Sequence, residues 1–183
     1  MMMLQRESRR PEQVKTLSCL LLLAVLCAFA FLPRISSREV SNTIEARVAI
    51  TSREMWRSGE WILPRMNGQL RLQKPPLAYW LSGLSAAALG RFDELALRLP
   101  FFFVVLGTAS FTFLLGAELR RRDAGFLSAV VLLTSHLFGR EGQMATADGA
   151  LVFCACGAWF FHVKQRKAFQ AGAGSRRWAL WLY

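Results

Sequence analysis

Asp148 sits between the segment MATA and the apolar run GALVF, and Glu45 opens the stretch IEARVAITSREMWRS. A carboxylate at the edge of an apolar segment is costly to bury, so it must face a polar cavity or a cation. Two such groups at one cavity suit a transfer reaction, in which one removes the proton of an acceptor hydroxyl or amine and the other assists it or holds a metal. Simpler uses stay open. Asp148 can cap the amino end of a helix, where an anion meets the positive end of the dipole. Glu45 can be a solvated helix-face charge paired with Arg47 or another neighbour. Lys74, with Arg47, Arg53, Arg57, Arg65, Arg71, Arg91 and Arg98, makes residues 35–98 basic. Such cations suit the phosphate or pyrophosphate of a lipid at headgroup level, and equally suit ordinary anionic headgroups. His136 and His162 have no second histidine at metal-binding spacing. Cys19, Cys27, Cys154 and Cys156 form neither a zinc pattern nor a thioredoxin-type pair.

The elements that must carry these residues are set by hydropathy. Of the 183 residues, 54% are apolar and only 19% charged, which excludes a disordered chain and argues against an ordinary soluble domain. The net charge of +11 would suit a nucleic-acid binder if it were spread out. Instead, Arg6, Arg9, Arg10 and Lys15 precede the first apolar run. Arg120, Arg121 and Arg122 follow the second, and Lys164, Arg166, Lys167, Arg176 and Arg177 follow the fourth. These blocks fall on one side of a membrane, the cytoplasmic side by the positive-inside rule, and no nucleic-acid partner is expected.

The expected architecture is all-α and polytopic. It comprises a cytoplasmic leader (1–15), span one (16–34), a long outer, periplasmic loop with interfacial helices (35–98), span two (99–119), a cytoplasmic loop (120–124) and span three (125–139). A short outer loop (140–148), span four (149–163), a cytoplasmic loop (164–177) and the start of a fifth span (178–183) follow. Span two, at about 31 Å, is long enough to cross; spans one, three and four are short of the ~30 Å hydrocarbon core. The first run is read as an uncleaved span rather than a signal peptide, although Ala28-Phe29-Ala30 resembles a cleavage site. The closing WALWLY suggests a fragment of a longer polytopic protein. Within the long loop, Ile44, Val48, Met55 and, less regularly, Thr51 share a helical stripe, with Glu45, Arg47, Arg53, Glu54 and Arg57 largely outside it. Gly59 is a natural stop, Asn67-Gly68 a turn, and residues 77–89 a short apolar helix behind the stiff Lys74-Pro75-Pro76. Trp56, Trp61, Tyr79 and Trp80 suit the headgroup level.

Residues 43–151 carry an ordered set of motifs: Glu45-Ala46-Arg47-Val48-Ala49, Ser58-Gly59-Glu60-Trp61-Ile62-Leu63-Pro64, Asn67-Gly68, Lys74-Pro75-Pro76-Leu77 with Tyr79-Trp80, Arg98-Leu99-Pro100 and Thr146-Ala147-Asp148. This series resembles the first outer loop and following spans of the GT-C membrane glycosyltransferases. The groups in question are the dolichyl-phosphate-mannose-protein mannosyltransferases and the bacterial aminoarabinose transferases that modify lipid A. The resemblance implies transfer of a sugar from a polyprenyl-phosphate donor to a lipid or protein acceptor on the outer face of the inner membrane. It makes Glu45 and Asp148 the catalytic acids and brings Lys74, with Arg47, to the donor phosphate. Three positions depart from the family pattern, one of them Gln143, near which members often carry an arginine. Ile44 stands where many members carry the first acid of an Asp-Glu pair. Gln73 stands where the aminoarabinose branch has a glutamate linked to metal binding, so a divalent metal is the one cofactor left open. The alternative is a non-catalytic relative or membrane scaffold that binds polyprenyl phosphate or a partner subunit.

Overall fold

The computed structural model describes residues 2–36, 39–40 and 42–170. The run at 178–183 and the basic residues Arg176 and Arg177 lie outside the described residues, as do the side chains of Arg6, Arg9 and Arg10.

The chain folds into helices α1 (Met2–Ile35), α2 (Thr43–Ser58), α3 (Leu77–Leu89), α4 (Glu94–Leu119), α5 (Arg122–Thr134), α6 (His136–Glu141) and α7 (Ala147–Gln170). Its only sheet among the described residues is a two-residue hairpin, β1 (Arg65–Met66) with β2 (Gln69–Leu70), paired Arg65 with Leu70 and Met66 with Gln69. Asn67 and Gly68 both take positive φ (56° and 78°), which a two-residue hairpin turn requires. Glu54 pins that turn to α2 by accepting the Asn67 and Gly68 N–H groups at 2.5 and 3.2 Å.

Helix α4 is the hub and packs against α1, α3, α5 and α7. One core lies between α1, α4 and α5 and contains Leu23, Cys27, Phe31, Val105, Ala109, Phe113, Ala129 and Leu133. A second holds α2 and α3 on the start of α4, through Val48, Met55, Ala78, Tyr79, Leu97, Phe101 and Ala145. Glycine sets the closest helix approaches. A Cβ on Gly125 of α5 would stand 2.3 Å from the Phe113 carbonyl oxygen of α4, and one on Gly107 of α4 would strike the Phe153 ring of α7. Among the described residues, two segments, Val14–Pro33 and Glu94–Leu119, are long and apolar enough to cross a membrane. Large apolar side chains such as Leu21, Val25, Phe29, Leu127, Leu151 and Trp159 point outward from the bundle.

Several bounds differ from the sequence expectation. The helix expected from 99 begins at Glu94, capped by Asp93, whose carboxylate accepts the Ala96 N–H at 2.8 Å; Arg98 is therefore helical. The segment 125–139 is broken at Ser135, whose extended backbone (ψ 134°) separates α5 from α6. Helix α7 runs to Gln170, about 36 Å at the usual rise. The stripe of α2 is corrected too. Ile44 is 50% exposed, whereas Glu45 joins Val48, Thr51, Ser52 and Met55 on the buried side. Positions three and four before Val48 lie on the same general face of a helix, and a tertiary partner decides between them. Tyr79, expected at the headgroup level, is buried in the second core.

Candidate active site

Helix α2 starts where the Asn42 side chain accepts the Ile44 N–H at 2.8 Å. That cap sets Glu45 in the first turn, facing α4. Arg98 meets it there as a bidentate pair, with Nε to Oε1 at 2.7 Å and Nη2 to Oε2 at 3.0 Å. Glu45 Oε1 also accepts the Ala145 N–H at 3.1 Å. Arg98 further donates to the carbonyl oxygens of Ile35 at 3.0 Å and Glu39 at 3.4 Å. Both residues are only 2% exposed. A buried charge is tolerable only when paired and hydrogen-bonded, and each of these two satisfies the other.

The second pair is open. Lys74 Nζ donates to Asp148 Oδ1 at 3.0 Å, with the two side chains 47% and 67% exposed. Lys74 reaches this place from the stiff Pro75-Pro76 entry to α3. Asp148 lies in the first turn of α7, but the cap there is Thr146, whose Oγ1 accepts the Gly149 N–H at 3.3 Å. Thr146 therefore serves the helix end and leaves the Asp148 carboxylate for Lys74. An ammonium has three donors, so Lys74 keeps two for a further anion.

Both pairs lie at one end of the bundle. Arg98, near the start of α4, touches Ile35 at the end of α1, and the segment leading into α7 touches Glu45 of α2. The opposite end is marked by Lys167 of α7, which donates to the carbonyl and carboxylate oxygens of Glu118 on α4. Arg120, Arg121 and Arg122 stand at that end, between α4 and α5. Helices α4 and α7 thus run parallel, with the expected acids at their heads and basic residues at their tails.

The remaining cations of residues 35–98 do not gather at Lys74; Arg57 and Arg65 instead line a separate pocket with Glu54 and Glu60. Arg47 is exposed, about 200° round α2 from Glu45, and the structure brings it into no contact with Lys74. Arg53 lies over the Phe92 ring, 5.1 Å from its centroid; Arg65 donates to the Gly68 carbonyl, and Arg91 pairs with Asp93. Among the described residues no three His, Cys, Asp or Glu side chains group closely enough to hold a metal. The Lys74 ammonium, 3.0 Å from Asp148 Oδ1, occupies the side of that carboxylate where a divalent cation would compete with it. His136, at the start of α6, is exposed. Arg98, expected among the loop cations that could meet a lipid phosphate, is instead the buried partner of Glu45. Its signal was a single guanidinium inside the apolar run LALRLPFFF, where a charge demands a partner.

A bundle of long apolar helices, topped at one end by α2, α3 and the hairpin and carrying an exposed lysine–carboxylate pair there, defines a membrane protein. Residues 73–182 match the dolichyl-phosphate-mannose-protein mannosyltransferase family, and the chain belongs to it. The chain is 33% identical over 128 residues, 69% of its length and 23% of the relative's, to the undecaprenyl phosphate-alpha-4-amino-4-deoxy-L-arabinose arabinosyl transferase of Yersinia enterocolitica. It is 29% identical over 157 residues to the enzyme of that name from Pectobacterium carotovorum, covering 85% of this chain and 28% of the relative. The fold is that of ArnT from Cupriavidus metallidurans, solved in the apo state and bound to undecaprenyl phosphate. The TM-score is 0.72 in both cases, at 21% identity, over 78% of this chain and 26% of ArnT. The chain spans about a quarter of the length of these relatives.

Proposed function

We propose that this chain carries the donor-phosphate end of a membrane glycosyltransferase, which moves a sugar from a polyprenyl-phosphate donor to a lipid or protein acceptor at the outer face of the inner membrane. The observation that carries this reading is the Lys74–Asp148 contact, 3.0 Å long and open to the surroundings at the head of the bundle. Lys74 offers its two remaining N–H donors to the lipid phosphate, whereas Arg47, on the far side of α2 from Glu45, is left out of this reading. Asp148 takes the proton of the acceptor hydroxyl or amine as that atom attacks the anomeric carbon. The bond from that carbon to the phosphate oxygen breaks, the phosphate leaves with the electron pair, and the configuration inverts. Undecaprenyl phosphate is the lipid favoured by the names of the arabinosyl transferase relatives and by the ArnT complex. The basic residues at the tails of α4 and α7 favour a multi-pass orientation with the amino terminus cytoplasmic.

A second reading, binding without transfer, is favoured by one observation: Glu45 is enclosed by Arg98 and Ala145, so it is not presented beside Lys74 as a second acid. The test measures retention of undecaprenyl phosphate by the purified chain in nanodiscs, and sugar transfer by the natural protein in its membranes. Lys74→Ala should weaken retention at least about tenfold, since a hydrogen bond to a charged group contributes about 1.5–3 kcal/mol. Asp148→Asn should lower transfer by about 10²–10⁴-fold, the scale of a lost general base. Unchanged transfer in Asp148→Asn would refute its role as base. Lys74-dependent retention with no transfer by any form would establish the second reading.

A further inference from the structure

The Lys74–Asp148 contact is exposed, and a pair so open to water is too weak to set its own geometry. Something else must hold the two side chains in register. Asp148 stands three residues after Ala145, and the Ala145 N–H is bound by Glu45 Oε1. Arg98 grips both oxygens of that same carboxylate and ties it to the Ile35 and Glu39 carbonyls. One buried pair therefore joins the end of α1, the first turn of α2, the first turns of α4 and the segment entering α7. Lys74 is referenced to the same point from the other side. It leads into α3, whose Ala78 and Tyr79 pack with Val48, Leu97 and Ala145. Three N–H groups converge on the Glu45 carboxylate at 2% exposure, so neither oxygen is presented to a substrate.

We infer that Glu45 and Arg98 are positioning residues. Glu45 acts through the Ala145 N–H to fix residues 145–148, so that Asp148 is presented to Lys74, and Arg98 holds Glu45 in the orientation that does this. The meaning of this assignment rests on the reading of Lys74 and Asp148 as the substrate-facing pair, but its test needs no turnover.

The full chain in detergent micelles is treated with a carbodiimide, which condenses an amine and a carboxylate in contact to an amide, and the cross-linked peptides are quantified by mass spectrometry. The wild-type chain should yield Lys74–Asp148 and, from the opposite end of the bundle, Lys167–Glu118, which serves as internal reference. The double variant Glu45→Leu/Arg98→Met replaces both buried charges with apolar side chains, a change that leaves no charge alone in the interior. In it the Lys74–Asp148 yield should fall at least about fivefold relative to Lys167–Glu118. Glu45→Asp, which keeps the charge but withdraws the carboxylate from Ala145, should give an intermediate ratio. A purely structural role would lower both cross-links together and leave their ratio unchanged, and an unchanged ratio in the folded double variant overturns the proposal. If the double variant loses both cross-links, Glu45→Asp decides by the same criterion. The donor reading fails separately, through undiminished retention of undecaprenyl phosphate by Lys74→Ala, and that result would leave the cross-linking result standing.

Discussion

Removing either member of the Glu45–Arg98 pair should cost far more stability than removing either member of the Lys74–Asp148 pair, although the two contacts are of similar length. Arg98→Met strands the Glu45 carboxylate at 2% exposure, and Glu45→Leu strands the guanidinium in the same place. Breaking a buried pair from one side typically costs about 3–5 kcal/mol. The Arg98 substitution also takes a donor from the Ile35 carbonyl at the end of α1. Replacing both partners removes the uncompensated charge, so the double variant should lie within about 2 kcal/mol of wild type. The coupling between the two sites should then exceed about 3 kcal/mol, a factor of more than about 100 in the unfolding equilibrium. At the open pair, where the side chains are 47% and 67% exposed, Lys74→Ala and Asp148→Asn should each change stability by at most about 1 kcal/mol. The assay is denaturant unfolding of the purified chain in micelles, followed by far-ultraviolet circular dichroism, with wild type and the three variants of the cycle prepared alike. Additive single changes, with the double variant as unstable as their sum, would refute the buried pair as the tie across these segments.

Other expectations come from the backbone and the helix contacts. Gly125→Ala should lower the thermal midpoint in micelles by an amount equivalent to about 1–3 kcal/mol, because its Cβ would stand 2.3 Å from the Phe113 carbonyl oxygen; Gly139→Ala, with nothing within 4 Å, should be neutral or slightly stabilising. Gly59 closes α2 at φ 71° with open space around it, so Gly59→Ala should cost about 1–2 kcal/mol through backbone strain alone, and Gly59→Asn less. Chemical denaturation of these two variants beside wild type checks the order.

Local rules were enough for much of this protein. The Gly59 stop, the Asn67-Gly68 turn and the 77–89 helix follow from φ preferences and helical periodicity, which are properties of a few neighbouring residues. The expectation that Asp148 stands at the head of a helix and that Lys74 shares its end of the molecule was also legible, because long apolar runs alternate direction and so sort the loops between two ends. The partners were not legible. Whether Ile44 or Glu45 faces inward depends on Arg98, which is 53 residues away in sequence. Whether Asp148 caps its own helix depends on Thr146 doing so instead. A charge in a sequence declares only that it must be neutralised or solvated. Which group neutralises it is fixed by the packing of α2 on α4 and of the 142–146 segment over both, where the cost of an unpaired buried ion leaves room for a single arrangement.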